Sequence, residues 1–273
     1  KALELHKRFS SEKVRHNGVK GFIDGVTSTY TGLLLEPYAD RPDTTGIGVP
    51  IYPAEKIKAA VLAANKAGLS VRLHCIADGS VRMALDIFEC SKKMGYVNPS
   101  IRNTIEHIEN IHPADIPRFA ELNVIPSIQP YHLTLDCNEK ISRLGRERCR
   151  WEWPLRSLVD SGAKVAIGTD FPVVDINPFK TIYAALTRCD DEGNPTGINP
   201  EERLTLSQIL CAYTSGSANA YGREDLGTLE AGKLADIVVI DRNLFEIEPM
   251  EILKAQVKLT IMDGKIVFNR ENL

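Results

Sequence analysis

Two histidines, a lysine and an aspartate stand in or at the ends of four β-rich runs. Lys20 lies within Val19-Lys20-Gly21-Phe22-Ile23, and His74 follows Val71-Arg72-Leu73. His107 follows Thr104-Ile105-Glu106, and Asp170 follows Val165-Ala166-Ile167-Gly168-Thr169. Imidazole nitrogens and a carboxylate are natural ligands of a borderline divalent cation, zinc first and iron or manganese next. Lys20 is the odd member, because an ammonium repels a cation; carbamylated by CO2, it becomes a bridging carboxylate. Taken singly, each residue has a plain structural role. A strand-end histidine hydrogen-bonds its surroundings, Asp170 caps the next segment, and Lys20 is a solvated lysine. The shared placement is what points to a site. The C-terminal strand ends of a (β/α) barrel form one rim, where active sites are built.

The elements that must hold these residues alternate along the chain. After the strand at Val19 comes a long loop from Thr27 to Pro50, rich in Gly, Pro and Asp. Pro53 opens a helix to about Ala67, with Ile57, Val61 and Ala64 on one face and Gly68 as its stop. A strand at Val71 to His74, a helix from Asp78 to Met94 and a strand at Thr104 to His107 follow. Next are a helix from Pro113 to Leu122, a strand from Val124 to Gln129, a helix near Trp151 to Ser161, and the strand at Val165. The strands are apolar rather than alternating, which predicts a parallel sheet covered on both faces. Beyond Ala220 the pattern changes to strands at Leu234 to Asp241, Val257 to Met262 and Lys265 to Asn269. Asp263-Gly264 joins the last two as a hairpin, since both turn positions need positive φ. The division predicted is 1–222 for the α/β body and 223–273 for the tail.

Composition narrows the class. The 273 residues are 43% hydrophobic and 25% charged, with 19 Gly and 15 Pro, which excludes disorder and collagen. No apolar run approaches the ~20 residues of a membrane helix. The net charge is -3 with no basic block, so neither nucleic acid nor membrane is an expected partner. Six cysteines (Cys75, Cys90, Cys137, Cys149, Cys189, Cys211) contain no C-x-x-C, which predicts free thiols and a cytoplasmic protein. The chain opens on Lys1 within what reads as the middle or end of a helix, with no leader pattern. The expectation is a chain without its natural N-terminus.

Four ordered motifs carry a resemblance. Val71-Arg72-Leu73-His74-Cys75-Ile76-Ala77-Asp78-Gly79, Ile105-Glu106-His107-Ile108, Ser127-Ile128-Gln129-Pro130-Tyr131-His132 and Ile167-Gly168-Thr169-Asp170-Phe171-Pro172-Val173 resemble the amidohydrolase superfamily. The branch they are most similar to includes N-substituted formamide deformylase. Val19 to Gly25 with Leu35-Glu36-Pro37-Tyr38 resembles its lysine-bearing strand and loop, and Leu226 to Asp241 its return into a small β-sandwich. That family begins its barrel with an H-x-H pair, and the six histidines here (His6, His16, His74, His107, His112, His132) contain none.

The resemblance implies an α/β fold, a partial TIM-type barrel holding the fourth to eighth strands, with part of a C-terminal β-sandwich. It implies a metal-dependent hydrolase of non-peptide C–N bonds in small amide- or formamide-type substrates. Lys20 would be the carbamylated bridge, His74 and His107 the outer metal site, Asp170 the base and a ligand, and His132 a substrate-facing residue able to bind the oxyanion. Without the H-x-H pair, this chain by itself is expected to be inactive. The alternative is a metal-poor, non-catalytic relative acting through subunit association. A sugar-phosphate barrel enzyme is disfavoured by the lack of a Gly-rich phosphate loop. Open edges at the Val19 and Val165 strands predict a homo-oligomer. Gln129 sits beside the rim; Arg148 reads as a surface residue rather than a carboxylate binder, and Trp151 and Trp153 as core rather than pocket lining.

Overall fold

The structure is a computed structural model that describes residues 1–135 and 137–272. Among these residues, β1 (Gly18–Phe22), β2 (Ser70–Cys75), β3 (Thr104–His107), β4 (Ile125–Ile128) and β5 (Ala166–Ile167) form one parallel sheet in chain order. Helical crossovers connect them, as the alternation predicts. The helix after the long loop runs Ala54–Lys66 and buries Ile57 and Val61. It stops at Gly68, whose φ of 80° suits a residue without a Cβ. The next helix, Asp78–Lys93, buries Val81, Ala84, Leu85 and Phe88, the spacing of one helical face. The Thr27 to Pro50 loop contains only short turns, at Thr27–Thr29 and Pro42–Thr45.

The strand register sorts the side chains into two faces. Val71, Leu73, Cys75, Ile105, Ile128 and Ile167 pack against the helices in the main core. Lys20 aligns with Arg72 and Thr104, and Phe22 aligns with His74, Glu106 and Ser127, on the opposite face. That second face is polar: Arg72 pairs with Glu106 at 3.2 Å, and Lys20 and Phe22 are exposed. Apolar cover on both faces was predicted, and one face has it. The reason is that Lys20, Arg72, His74, Glu106 and Ser127 place polar groups at alternate positions of the first four strands, a pattern that such short runs hide.

The two sheet edges also differ. In the π-helical turn Ala212–Gly216, a Cβ on Gly216 would lie 2.1 Å from the Val165 carbonyl oxygen. The chain thus covers the Val165 edge with its own backbone, using the one residue type that permits the approach. The edge at β1 carries the exposed Lys20 and Phe22.

The tail forms an antiparallel sheet of β6 (Ile237–Ile240), β7 (Val257–Met262) and β8 (Lys265–Asn269). Asp263 and Gly264 turn the hairpin at φ of 51° and 73°. The sheets separate near residue 222, but the cores do not. Leu244, Ile252 and Ala255 belong to the main core, and the turn Pro249–Lys254 packs on the helix Pro178–Thr187.

Candidate functional site

His74, His107, His132 and Asp170 line one cavity of about 300 Å³ at the C-terminal end of the parallel sheet. His74 is the penultimate residue of β2, on the polar face. Its Nε2–H donates to the Gly25 carbonyl at 3.1 Å, which leaves Nδ1 unprotonated in the neutral ring. Burial lowers its pKa, and the nearby Lys20 ammonium lowers it further.

His107 reaches the cavity against the parity of its strand. Its register partner is Cys75, on the helix-covered face. The backbone leaves β form here, with φ of 80° at His107 and 52° at Ile108, both non-glycine residues in a strained region. The ring lies 4.4 Å from that of His74 and 6.2 Å from that of His132, centroid to centroid. Its Nδ1 is buried without a hydrogen-bond partner. Burial first, then the His74, Lys20 and His132 charges, take its pKa down to about 2, so the ring is neutral at any ordinary pH.

His132 sits in the turn Pro130–Thr134 and donates Nε2–H to the Thr169 carbonyl at 3.1 Å. Asp170 follows at once, with φ of 57°, and is exposed at the cavity. The loops around the rim are tied by Asp24, which is fully buried. Its carboxylate accepts from the backbone N–H groups of Leu33 (3.1 Å), Ile76 (3.0 Å) and Ala77 (3.1 Å). One side chain thereby joins the ends of β1 and β2 and the loop between them.

Lys20 is the expected ligand that the structure leaves out of the cavity. It lines a neighbouring groove with Val19, Phe22 and Tyr52, its Nζ 5.4 Å from the centre of the Phe22 ring. The register explains this: Lys20 aligns with Arg72, two residues before His74 along the strand. Its charge still acts on both histidines, as their lowered pKa values show.

Other residues fall in less expected places. Gln129 is buried beside His107 and raises that ring's proton affinity slightly through a side-chain hydrogen bond. Among the described residues Arg148 meets no acid and does not line the cavity; it binds the carbonyls of Leu144, Glu36 and Pro37 and ties down the long loop. Trp151 is half-buried against the main core. Trp153 is both core, at 1% exposure, and cavity wall. Sequence reasoning missed Glu109 and Lys140, which also line the cavity. The available signal was that Glu109 lies two residues past His107; nothing local marked Lys140.

The donor set fits a divalent ion in part. Two adjacent neutral imidazoles, one with an orphaned buried nitrogen, suit a metal that binds unprotonated rings. Among the described residues, however, no group of three His, Cys, Asp or Glu is close enough to hold an ion by itself.

A parallel sheet with helical crossovers, with histidines and an aspartate gathered at its C-terminal rim, is part of an α/β barrel of the TIM type. The chain belongs to the amidohydrolase family, whose sequence model matches residues 1–268. Protein LONG AFTER FAR-RED 3 of Arabidopsis thaliana is 35% identical over 260 residues, covering 94% of this chain and 44% of that protein. N-substituted formamide deformylase of Arthrobacter pascens is 25% identical over 236 residues, covering 83% and 41%. The crystal structure of an uncharacterized metal-dependent hydrolase from Pyrococcus horikoshii OT3 superimposes with a TM-score of 0.79 at 28% identity, covering 91% of this chain and 50% of that one. The chain spans about half the length of these relatives or less. Among the described residues, no helix is long and apolar enough to cross a membrane.

Proposed function

We propose that the protein carrying this chain is a metal-dependent hydrolase of non-peptide carbon–nitrogen bonds in small amide- or formamide-type substrates. The observation that supports it best is the pair of neutral imidazoles 4.4 Å apart in a cavity that also holds Asp170 and His132. His74, through Nδ1, and His107 would hold a divalent ion, zinc first and iron or manganese next, with Lys20 joining them if carbamylated. Asp170, in the same cavity, would be a further ligand. A bound ion supplies an acidified water and a polarised carbonyl. Asp170 takes the proton of the attacking water on its carboxylate and returns it to the leaving nitrogen. His132 has committed Nε2–H to Thr169, so it donates to a developing oxyanion only as an imidazolium. The five described cysteines are free thiols, in keeping with a cytoplasmic location.

A second reading, a metal-poor non-catalytic relative, is favoured by one observation: Lys20 lies outside the cavity, as a cation against Phe22. One experiment separates the two. Metal content and turnover of simple N-formyl and N-acyl amines are measured on the protein carrying the chain, beside His74→Ala/His107→Ala and Asp170→Asn. The hydrolase reading expects metal near stoichiometry, lost in the double variant. It also expects Asp170→Asn to keep its metal while turnover falls about a hundred- to ten-thousand-fold. Neither metal nor turnover in the unaltered protein would establish the second reading instead.

A further inference from the structure

One wall of the cavity carries a charged assembly that the hydrolytic reading does not use. Lys140 is 3% exposed at its side chain, yet it lines the cavity. Its ammonium contacts Oε2 of Glu109, lies 3.1 Å from Oε2 of Glu152, and sits 4.0 Å above the centre of the Trp153 ring. Glu152 is fully buried behind it, whereas Glu109 is 13% exposed and lines the cavity. Two carboxylates thus converge on one cation. Among the described residues, Oε1 of Glu109 has no hydrogen-bond partner, and it is not sealed from solvent.

The backbone holds Glu109 firmly. Its carbonyl accepts from the Trp153 N–H at 2.8 Å, and the next residue, Asn110, pairs with Glu152 in a β-bridge and donates to the Ile76 carbonyl at 2.9 Å. The carboxylate is therefore fixed on both sides, by Lys140 at one oxygen and by its main chain. An acceptor held in place before a ligand arrives loses little freedom on binding. Ile76, Leu135, Trp153 and Val173 give the same cavity an apolar lining. An apolar wall with one fixed anionic oxygen matches a ligand arm of hydrocarbon ending in a cationic nitrogen. An anionic arm would meet Glu109 with its charge unopposed, because Lys140 is already shared between two carboxylates.

We propose that Glu109, clamped by Lys140, is a specificity-determining residue that selects small amides bearing a cationic nitrogen. The word substrate rests on the hydrolase reading; the binding preference does not. Three ligands with the same acetyl group test it by titration calorimetry on the protein carrying the chain: a mono-N-acetyl diamine, an N-acetyl alkylamine of equal length, and an N-acetyl amino acid. The diamine derivative is expected to bind about ten- to a hundred-fold more tightly than its neutral counterpart, as a charge-assisted hydrogen bond allows, with the anion weakest. Glu109→Gln should reduce that ratio to near one. The ranking in the unaltered protein needs no variant, so a misfolded Glu109→Gln leaves the test intact. Equal binding of all three, tightest binding of the anion, no binding of any at millimolar concentration, or a preserved ratio in a folded Glu109→Gln would each overturn the proposal. A protein that ranks the ligands as expected yet hydrolyses none refutes the hydrolase reading alone. One that hydrolyses all three without preference refutes this inference alone.

Discussion

Replacing Lys140 with methionine removes a buried cation while keeping most of the hydrocarbon stem that fills its place. Burial opposes the charge on Lys140, but the Glu109 and Glu152 carboxylates outweigh it and raise its pKa well above the usual lysine value. Side chains exposed by only 3% and 0% leave little solvent to screen the Lys140–Glu152 pair. Breaking a buried pair by removing one partner costs about 3–5 kcal/mol, so Lys140→Met should destabilise by a similar amount. Its dependence on pH follows from the acid left behind. Burial raises the Glu152 pKa from 4.5 to about 7 even with Lys140 present. A carboxyl with a raised folded pKa gives stability that is complete below about pH 4.5 and lost as pH rises through about 7. The deficit of Lys140→Met should therefore be larger at about pH 8 than at about pH 5, where Glu152 takes up a proton. Adding Glu152→Gln should recover much of it, since the stranded charge is gone. Urea midpoints at the two pH values, with an unchanged denaturant slope, measure all of this. A loss below about 1 kcal/mol, the size of a surface pair, or a loss independent of pH, would refute the reasoning.

Two further outcomes follow from the same site. His107 stays neutral down to about pH 2 when folded, whereas an unfolded histidine takes a proton near 6.5. After chelation of metal, stability should accordingly be complete above 6.5 and fall as pH drops below it, by up to about 1.4 kcal/mol per pH unit. His107→Gln should flatten that slope by one proton, and parallel slopes in urea titrations would count against it. Asp24→Ala strands the N–H groups of Leu33, Ile76 and Ala77 and should cost about 3 kcal/mol or more. Amide hydrogen exchange should accelerate at those three positions first; unchanged protection at Ile76 and Ala77 would show that the carboxylate does not tie the rim together.

What the chain specifies locally can be read along it. Thr104–His107, Val257–Met262 and Lys265–Asn269 are strands over the predicted residues, and the Asp263-Gly264 turn joins the last two. The helix predicted from Asp78 to Met94 runs Asp78–Lys93. Apolar spacing, turn residues and helix stops act over a few residues, so composition and order suffice to place them. The ordered His74, His107, His132 and Asp170 motifs likewise named residues that share a cavity. Tertiary structure decided the rest, for reasons that no local pattern contains. His107 faces His74 only because its backbone turns to positive φ, a state its residue type does not call for. Lys20, by contrast, keeps the regular alternation of its strand and is held one pleat short of the rim. Lys140 meets Glu109 across 31 residues of chain, and Arg148 reaches the Glu36 carbonyl across 112. Contacts of that separation exist only after packing has closed the intervening chain, and their partners are set by which surfaces bury together. The same holds for the tail, whose hairpin is local but whose Ile252 enters the core of the barrel body.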